Sequence, residues 1–359
     1  MSTGGTRLAA SCAPHQRLGG GLKVRLARRL RRLAALALAL GPTGLLAQAV
    51  PPPQPIRPAP TVQQLTLAAP APTPPWLVCG GERSQLPLWS LFVLPGERGD
   101  CEIQAGSPAG GYRLQGPGVQ VQTAGQRWSW QAPAQPGLVQ LRLEGPGLKQ
   151  PRILQLWVMT PAAAVVDGRL QGFRIGQYPG NDGGRGPLYG PPRGYVEVTP
   201  ANAATRVSPE YRLGQFVSKQ SPHYPKYVVL RTRLLEKLEW LTTAARLQGM
   251  AEGPFVVMSG YRTPYYNARL GNRPLSRHQW GGAADVYIDD RPRDGHMEDL
   301  NGDGRLSRED AVWLAQWIER QAATPAYRER FIGGLGIYGS TSSHGPFVHI
   351  DVRGVRARW

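Results

Sequence analysis

The sequence predicts two folded units of different class: a small all-β sandwich over residues 76–160, then an α+β domain over residues 223–359. Three observations predict this. Between Trp76 and Thr160 apolar residues alternate at period two in short runs broken by turns, as several short antiparallel strands require. From Lys226 the period lengthens to three or four residues, at Leu230, Leu234, Leu238 and Leu241, and β-type runs follow. The 359 residues also include 45 glycines and 35 prolines, which excludes a coiled coil or helical bundle running through the chain.

The first element expected is an export signal over residues 1–49. Arg25, Arg28, Arg29, Arg31 and Arg32 precede an apolar stretch from Leu33 to Leu46, and Ala47-Gln48-Ala49 supplies small residues for cleavage after Ala49. Gly41 and Pro42 interrupt that stretch, which is shorter than the roughly 20 residues a bilayer span needs, so a retained anchor is the competing reading and no stable membrane span is expected. Residues 50–75 hold ten prolines among many alanines, the composition of an extended linker. Formal net charge is +18, but residues 1–49 carry eight Lys/Arg and no acid, so the remainder permits a polyanionic partner without demanding one. Nucleic acid is not expected, since the chain reads as exported and shows no aromatic-basic recognition motif. With Cys12 in the removed segment, Cys79 and Cys101 are left as one even pair, and a disulfide is expected. A two-cysteine zinc site would need further ligands, and residues 79–101 contain no histidine.

Within the sandwich, which is expected to be immunoglobulin-like, the alternating runs are Val119/Val121, Trp128/Trp130, Val139/Leu141/Leu143 and Leu154/Leu156/Val158, separated by Gly116-Pro117-Gly118 and Gly145-Pro146-Gly147. Trp128 and Trp130 share one strand face, as core residues or as a carbohydrate-stacking pair. Residues 161–222 are turn-rich and read as a connector. From Lys226 an amphipathic helix is expected, with Arg231, Arg233, Glu236, Lys237 and Glu239 between its leucines. Then come a β-type run, Phe255 to Met258, a second helix from Ala311 to about Gln321, and a strand from Phe347 to Arg353.

The chemistry-bearing segment is Ser276-Arg277-His278-Gln279-Trp280-Gly281-Gly282-Ala283-Ala284-Asp285, where small residues let the backbone close around a histidine and an aspartate. Alternation through Ile288 sends Ala284, Val286 and Ile288 to one face and Asp285 to the other. In Phe347-Val348-His349-Ile350-Asp351-Val352 the same rule leaves His349 and Asp351 on the polar face. Two imidazoles and a carboxylate, with a position left for water, are the ligand set of a catalytic zinc. Together with Ser259-Gly260-Tyr261-Arg262-Thr263-Pro264 and Gly333-Gly334-Leu335-Gly336, these segments resemble the zinc D-alanyl-D-alanine carboxypeptidases and their relatives, which share a core with lysostaphin-type peptidases and the hedgehog signalling domain. The resemblance covers roughly Lys226 to Trp359. It implies a hedgehog/D-Ala-D-Ala peptidase-like α+β fold, zinc on His278, Asp285 and His349, a substrate carboxylate or carbonyl oxygen on Arg262, and Ser276 behind the ligands. Zinc lowers the pKa of water and polarises a scissile carbonyl, and a guanidinium offers paired donors to a carboxylate.

The sequence departs from better-known members in one respect. Many carry an acid or histidine two or three residues before the last zinc histidine, where Phe347 and Pro346 stand here. His344 and Asp351 remain as proton shuttles; His344, on the loop entering the strand, is preferred, and Asp351 is read as orienting a ligand. An alternative alignment makes Asp351 itself the ligand. His223 and His296 lack a motif and read as surface residues. A second metal signal lies in the 299–310 segment: Asp299, Asn301, Asp303, Arg305 and Asp310 fall at positions 1, 3, 5, 7 and 12 of an EF-hand-like loop, with Gly304 at 6. Aspartate at position 12 implies weakened calcium binding as a structural brace, and a helix-capping turn without metal is the competing reading.

The expectation is therefore an exported, cell-wall-associated zinc hydrolase, periplasmic or secreted, acting on amide bonds of peptidoglycan stem peptides near D-amino acids. The rivals are a non-catalytic wall- or partner-binding protein that keeps the metal core, and a zinc peptidase acting on L-peptides.

Overall fold

The computed structural model describes residues 74–104, 110–180 and 189–359. The expected signal and all of the linker but Pro74 and Pro75 lie outside the described residues. Among the described residues the chain is mixed α/β, with five sheets and four α-helices, none of them long and apolar enough to cross a membrane.

The period-two runs form strands β1 (Leu77–Cys79), β2 (Glu82–Ser84), β3 (Leu88–Val93), β4 (Arg98–Ile103), β5 (Arg113–Gln115), β6 (Gln120–Ala124), β7 (Arg127–Gln131), β8 (Gly137–Glu144) and β9 (Arg152–Val158). They make two sheets, in the orders β2-β1-β4-β7-β6 and β3-β9-β8-β5. Leu77, Trp128, Leu141, Leu143, Leu154 and Leu156 are among the residues of both sheets that bury one shared core. Trp128 and Trp130 belong to that core at 0% and 5% exposure, so they offer no open face to a sugar. Cys79 and Cys101 stand opposite each other across β1 and β4 and are joined by a disulfide, at a sequence separation of 22. Closing a loop of that size removes chain entropy from the unfolded state, so replacing both cysteines by alanine is expected to lower stability by about 3 kcal/mol. Denaturant unfolding of both proteins measures this, and an unchanged midpoint would contradict it.

Residues 161–222 do more than connect. They supply β10 (Thr160–Pro161, beginning one residue earlier), β11 (Arg169–Leu170), β12 (Phe173–Arg174) and β13 (Gly194–Val198), and β13 pairs with β14 (Lys226–Val228). Leu170, Phe173, Ile175, Val207, Tyr211 and Phe216 are buried in the second core, which they share with the C-terminal residues. Alternation in β9 joins the two cores: Leu154, Leu156 and Val158 face the first, and Trp157 enters the second. Polar contacts fix the junction. Ser90 Oγ donates to Val207 O at 2.6 Å and accepts from Trp157 Nε1 at 3.1 Å, and Arg152 donates to the carbonyls of Pro75, Ser84 and Leu86.

The C-terminal part continues with α1 (Thr232–Leu247), β15 (Val256–Ser259), α2 (Pro264–Arg269), β16 (Ala283–Tyr287), α3 (Arg308–Ala322), α4 (Pro325–Phe331), β17 (Gly334–Tyr338), β18 (Phe347–Asp351) and β19 (Ala357–Arg358). Its sheet has the order β15-β16-β18-β17-β19, antiparallel except for β17 with β19. Helix α1 departs from a simple amphipathic pattern, because Glu236, Lys237 and Glu239 are buried along with Leu234, Leu235, Leu238 and Leu241. Each has found a partner on a neighbouring element, as burial of a charge demands. Glu236 accepts from Arg330 of α4 at 2.5 Å, Glu239 accepts from Ser208 Oγ and Glu210 N, and Lys237 donates to the carbonyls of Phe331 and Asp351.

Candidate metal centre

Three segments converge on one point of this sheet. His278 lies in a single 3-10 turn, Arg277–Trp280, which ends at Gly281 in the left-handed region (φ 62°). A side chain on Gly281 would also collide with the Val229 backbone, so glycine is required twice over. Gly282 then leads into β16, where Asp285 pairs across the sheet with His349 of β18 on one side and with Ser259 of β15 on the other. His278 Nε2 lies 3.0 Å from His349 Nδ1 and 3.1 Å from Asp285 Oδ1, and His349 Nδ1 lies 3.0 Å from the same oxygen. All three residues are buried, at 1%, 5% and 2% exposure for His278, His349 and Asp285.

The protonation pattern shows what this cluster is suited to. His278 Nδ1 is 2.6 Å from Gly260 O, so it carries the proton and leaves Nε2 as a bare lone pair. His349 faces a carboxylate on each side, Asp351 Oδ2 at 3.3 Å from Nε2 and Asp285 Oδ1 at 3.0 Å from Nδ1; burial works to lower its pKa, but hydrogen bonds to the two carboxylates outweigh it and raise it. With the His349 proton on Nε2 alone, two lone pairs and a carboxylate oxygen face one another at hydrogen-bond distance. A cation resolves that repulsion, and the group can hold a metal ion. Burial works to raise the Asp285 carboxyl, but the flanking imidazoles, when they carry the protons in place of a cation, and Arg262 outweigh it and hold the group well below the usual carboxylate range. Asp285 is thus an anion throughout the physiological range.

Around the three, further side chains fix geometry. Arg262 donates through Nη2 to Asp285 Oδ2 and through Nε to Ser259 Oγ at 2.8 Å, tying down the carboxylate oxygen that faces away from the imidazoles. Asp351 accepts from Gly334 N at 2.8 Å and from Arg353 Nε and Nη2, while Oδ2 also faces His349. Its carboxyl is held below the ordinary range because these partners outweigh burial. A Cβ on Gly334 would overlap that carboxylate, which gives the Gly333-Gly334-Leu335-Gly336 segment its physical basis.

No family model matches the chain, and no curated protein does. Among solved structures, a crystal structure of the S-layer protein SbsC domains 4 and 5 aligns at 10% identity over 20% of this chain and 47% of that chain, with a TM-score of 0.16. A likeness at that TM-score carries no argument about this chain.

The other expected site residues divide. Asp351 stands behind His349 and is not one of the three converging groups, so it is placed to orient the imidazole and not to coordinate alongside it. His344 donates from Nδ1 to Gly345 O at 2.8 Å and packs edge-on against Phe347; no hydrogen bond joins it to the three among the described residues. The Ser276 side chain likewise makes no hydrogen bond to them among the described residues. In the 299–310 segment the carboxylates turn toward backbone N–H groups: Asp299 accepts from Gly302, Asp303 and Gly304, and Asp310 accepts from Leu300, Asn301 and Ser307. Asp310 is also the third helical residue of a capping box with Ser307 at the start of α3. Arg353, Trp359 and Lys237 were not anticipated as neighbours of the centre. The glycines of β17 were the available signal, since each marks a place where another group comes close.

Proposed function

We propose that the chain is an exported zinc metallopeptidase that cleaves amide bonds in peptidoglycan stem peptides. The observation that carries this reading is the convergence of two imidazole nitrogens and one carboxylate oxygen, from His278, His349 and Asp285, with their remaining atoms tied off by Gly260 O, Asp351 and Arg262. The set matches that of catalytic zinc, which keeps a coordination position open. Zinc held there would polarise the scissile carbonyl and make water acidic enough to attack it.

The chain's own residues supply the rest. Gly260 O and Asp351 select the imidazole tautomers, so no reorganisation is needed when the metal is loaded. Arg262 keeps Asp285 from rotating, a positioning role that goes beyond the expected contact with substrate. His344 serves as the proton shuttle: with Nδ1 donating to Gly345 O, its Nε2 is left as the basic atom. The D-amino-acid stem as substrate rests on the resemblance of the three ordered motifs, and the net positive charge that remains beyond residues 1–49 suits an anionic wall polymer. A second reading, a wall-binding protein with a metal core but no turnover, is favoured by Pro346 and Phe347 standing where relatives carry an acid.

Muropeptide digestion followed by mass spectrometry tests both readings. Cleavage is expected with the wild type, lost on chelation and restored by Zn2+, and reduced about 10²- to 10⁴-fold in His344→Ala. Products that persist under chelation would overturn the metal mechanism. Binding without cleavage would support the second reading.

A further inference from the structure

We infer that Trp359 and Arg353 are positioning residues for His349, closing a circuit of contacts that holds its imidazole in the metal-binding orientation. This rests on His349 being a metal ligand. On its Nε2 side His349 is restrained by a single 3.3 Å contact with Asp351. A hydrogen bond of that length is at the long end of the range, whereas a metal site needs its ligands held to within about 0.5 Å. The Trp359 ring supplies the missing restraint, with its centroid 5.1 Å from the imidazole and the planes 49° apart.

Arg353 joins the two arms. Its Nε and Nη2 donate to Asp351 at 2.9–3.0 Å and 2.6 Å, while its guanidinium carbon lies 5.2 Å over the Trp359 ring. The circuit therefore runs from His349 to Asp351, Arg353, Trp359 and back to His349. Trp359 is itself anchored three ways: Nε1 donates to Tyr338 Oη at 2.7 Å, its carbonyl accepts from Ile337 N at 3.0 Å, and its N–H donates to Leu335 O at 3.4 Å.

Strand β17 is shaped to admit this indole. Gly336 is the cross-strand partner of His349, and a Cβ there would lie 2.5 Å from Trp359 Nε1 and 2.6 Å from its Cε2. A Cβ on Gly334 would lie 3.0 Å from Trp359 Cη2. Trp359 remains 48% exposed, so one part of it covers the buried histidine and the rest meets solvent.

Co2+ titration of the full-length chain against a competing chelator tests the inference, read by the visible ligand-field spectrum as well as by affinity. Trp359→Leu is expected to weaken Co2+ binding 10- to 100-fold, the usual cost of losing a group that orients a ligand, and to alter the spectrum. Trp359→Phe, which keeps a ring, should recover most of the affinity. Gly336→Ala, which displaces the indole without removing it, should reproduce the Leu phenotype, and it keeps the inference testable if the Leu variant does not fold. Wild-type affinity and spectrum in folded Trp359→Leu and Gly336→Ala would overturn the positioning role while leaving His349 a ligand. Folded wild type that binds neither Co2+ nor Zn2+ would instead remove the metal reading, and this inference with it.

Discussion

Under the proposed metallopeptidase function, substituting His278 by alanine is expected to abolish stoichiometric zinc binding and stem-peptide turnover while leaving the fold in place. The ring donates one buried hydrogen bond, to Gly260 O, and its loss costs about 1–3 kcal/mol for the orphaned carbonyl. Against that, removing His278 also relieves the crowding of its Nε2 against His349 and Asp285, so the sheet should survive. Metal affinity should fall by far more than the 10- to 100-fold that follows loss of an orienting partner, because a ligand itself is gone. Asp351→Asn supplies that milder comparison, since it keeps the shape of the side chain but not its charge. Elemental analysis and thermal unfolding with and without chelator measure the difference. The wild-type melting temperature should drop on chelation, since a ligand that binds only the native state stabilises it, and that of His278→Ala should not move. One equivalent of zinc retained by His278→Ala would sink the ligand assignment.

The second large effect is a pH dependence of stability. Lys237 is 2% exposed, and burial pulls its pKa from 10.5 down to about 7, against the opposing pull of Asp351 and Glu319. Between about pH 7 and pH 10.5 the unfolded chain therefore holds a proton at this position that the folded chain does not. Stability rises with pH wherever the unfolded state binds more protons, so the penalty is complete below pH 7 and fades toward pH 10.5. One proton corresponds to about 1.4 kcal/mol per pH unit, or about 4 kcal/mol from pH 7 to pH 10. Above pH 10 the buried tyrosines reverse the trend. Burial raises Tyr195 to about 12 and Tyr211 and Tyr227 further, so the unfolded chain loses their protons first. Denaturant unfolding across this range, with chelator present so that metal linkage does not contribute, should show the slope in wild type and its loss in Lys237→Met. Equal slopes in the two proteins would contradict the assignment.

Lys237 also shows where sequence reading stops. Its neighbours Glu236 and Glu239 read as the solvated side of an amphipathic helix, since charged residues between leucines fit that pattern. Each is buried because α4, the 161–222 segment and the end of β18 close over α1 from several sides, and each partner is distant along the chain. The turn-rich composition of 161–222 likewise concealed that its few apolar residues fill the same core as the C-terminal strands. Trp128 and Trp130 present the opposite case, because their strand face was legible and only its direction, toward the other sheet, was not.

Alternation along the chain, by itself, determined that Asp285 leaves the apolar face of its strand and that His349 and Asp351 share the polar face of theirs, since period two is a property of the extended backbone. It left Asp285 and Asp351 as rival companions for His349. Tertiary structure alone decided between them. The register that sets Asp285 opposite His349, and Ala283 opposite Asp351, brings one carboxylate to the imidazole's Nδ1 and leaves the other behind its Nε2, held by Arg353. Strand direction follows from bonds between adjacent residues. Register follows from which distant strands bury their side chains together, a sum of contacts that no local stretch of sequence contains.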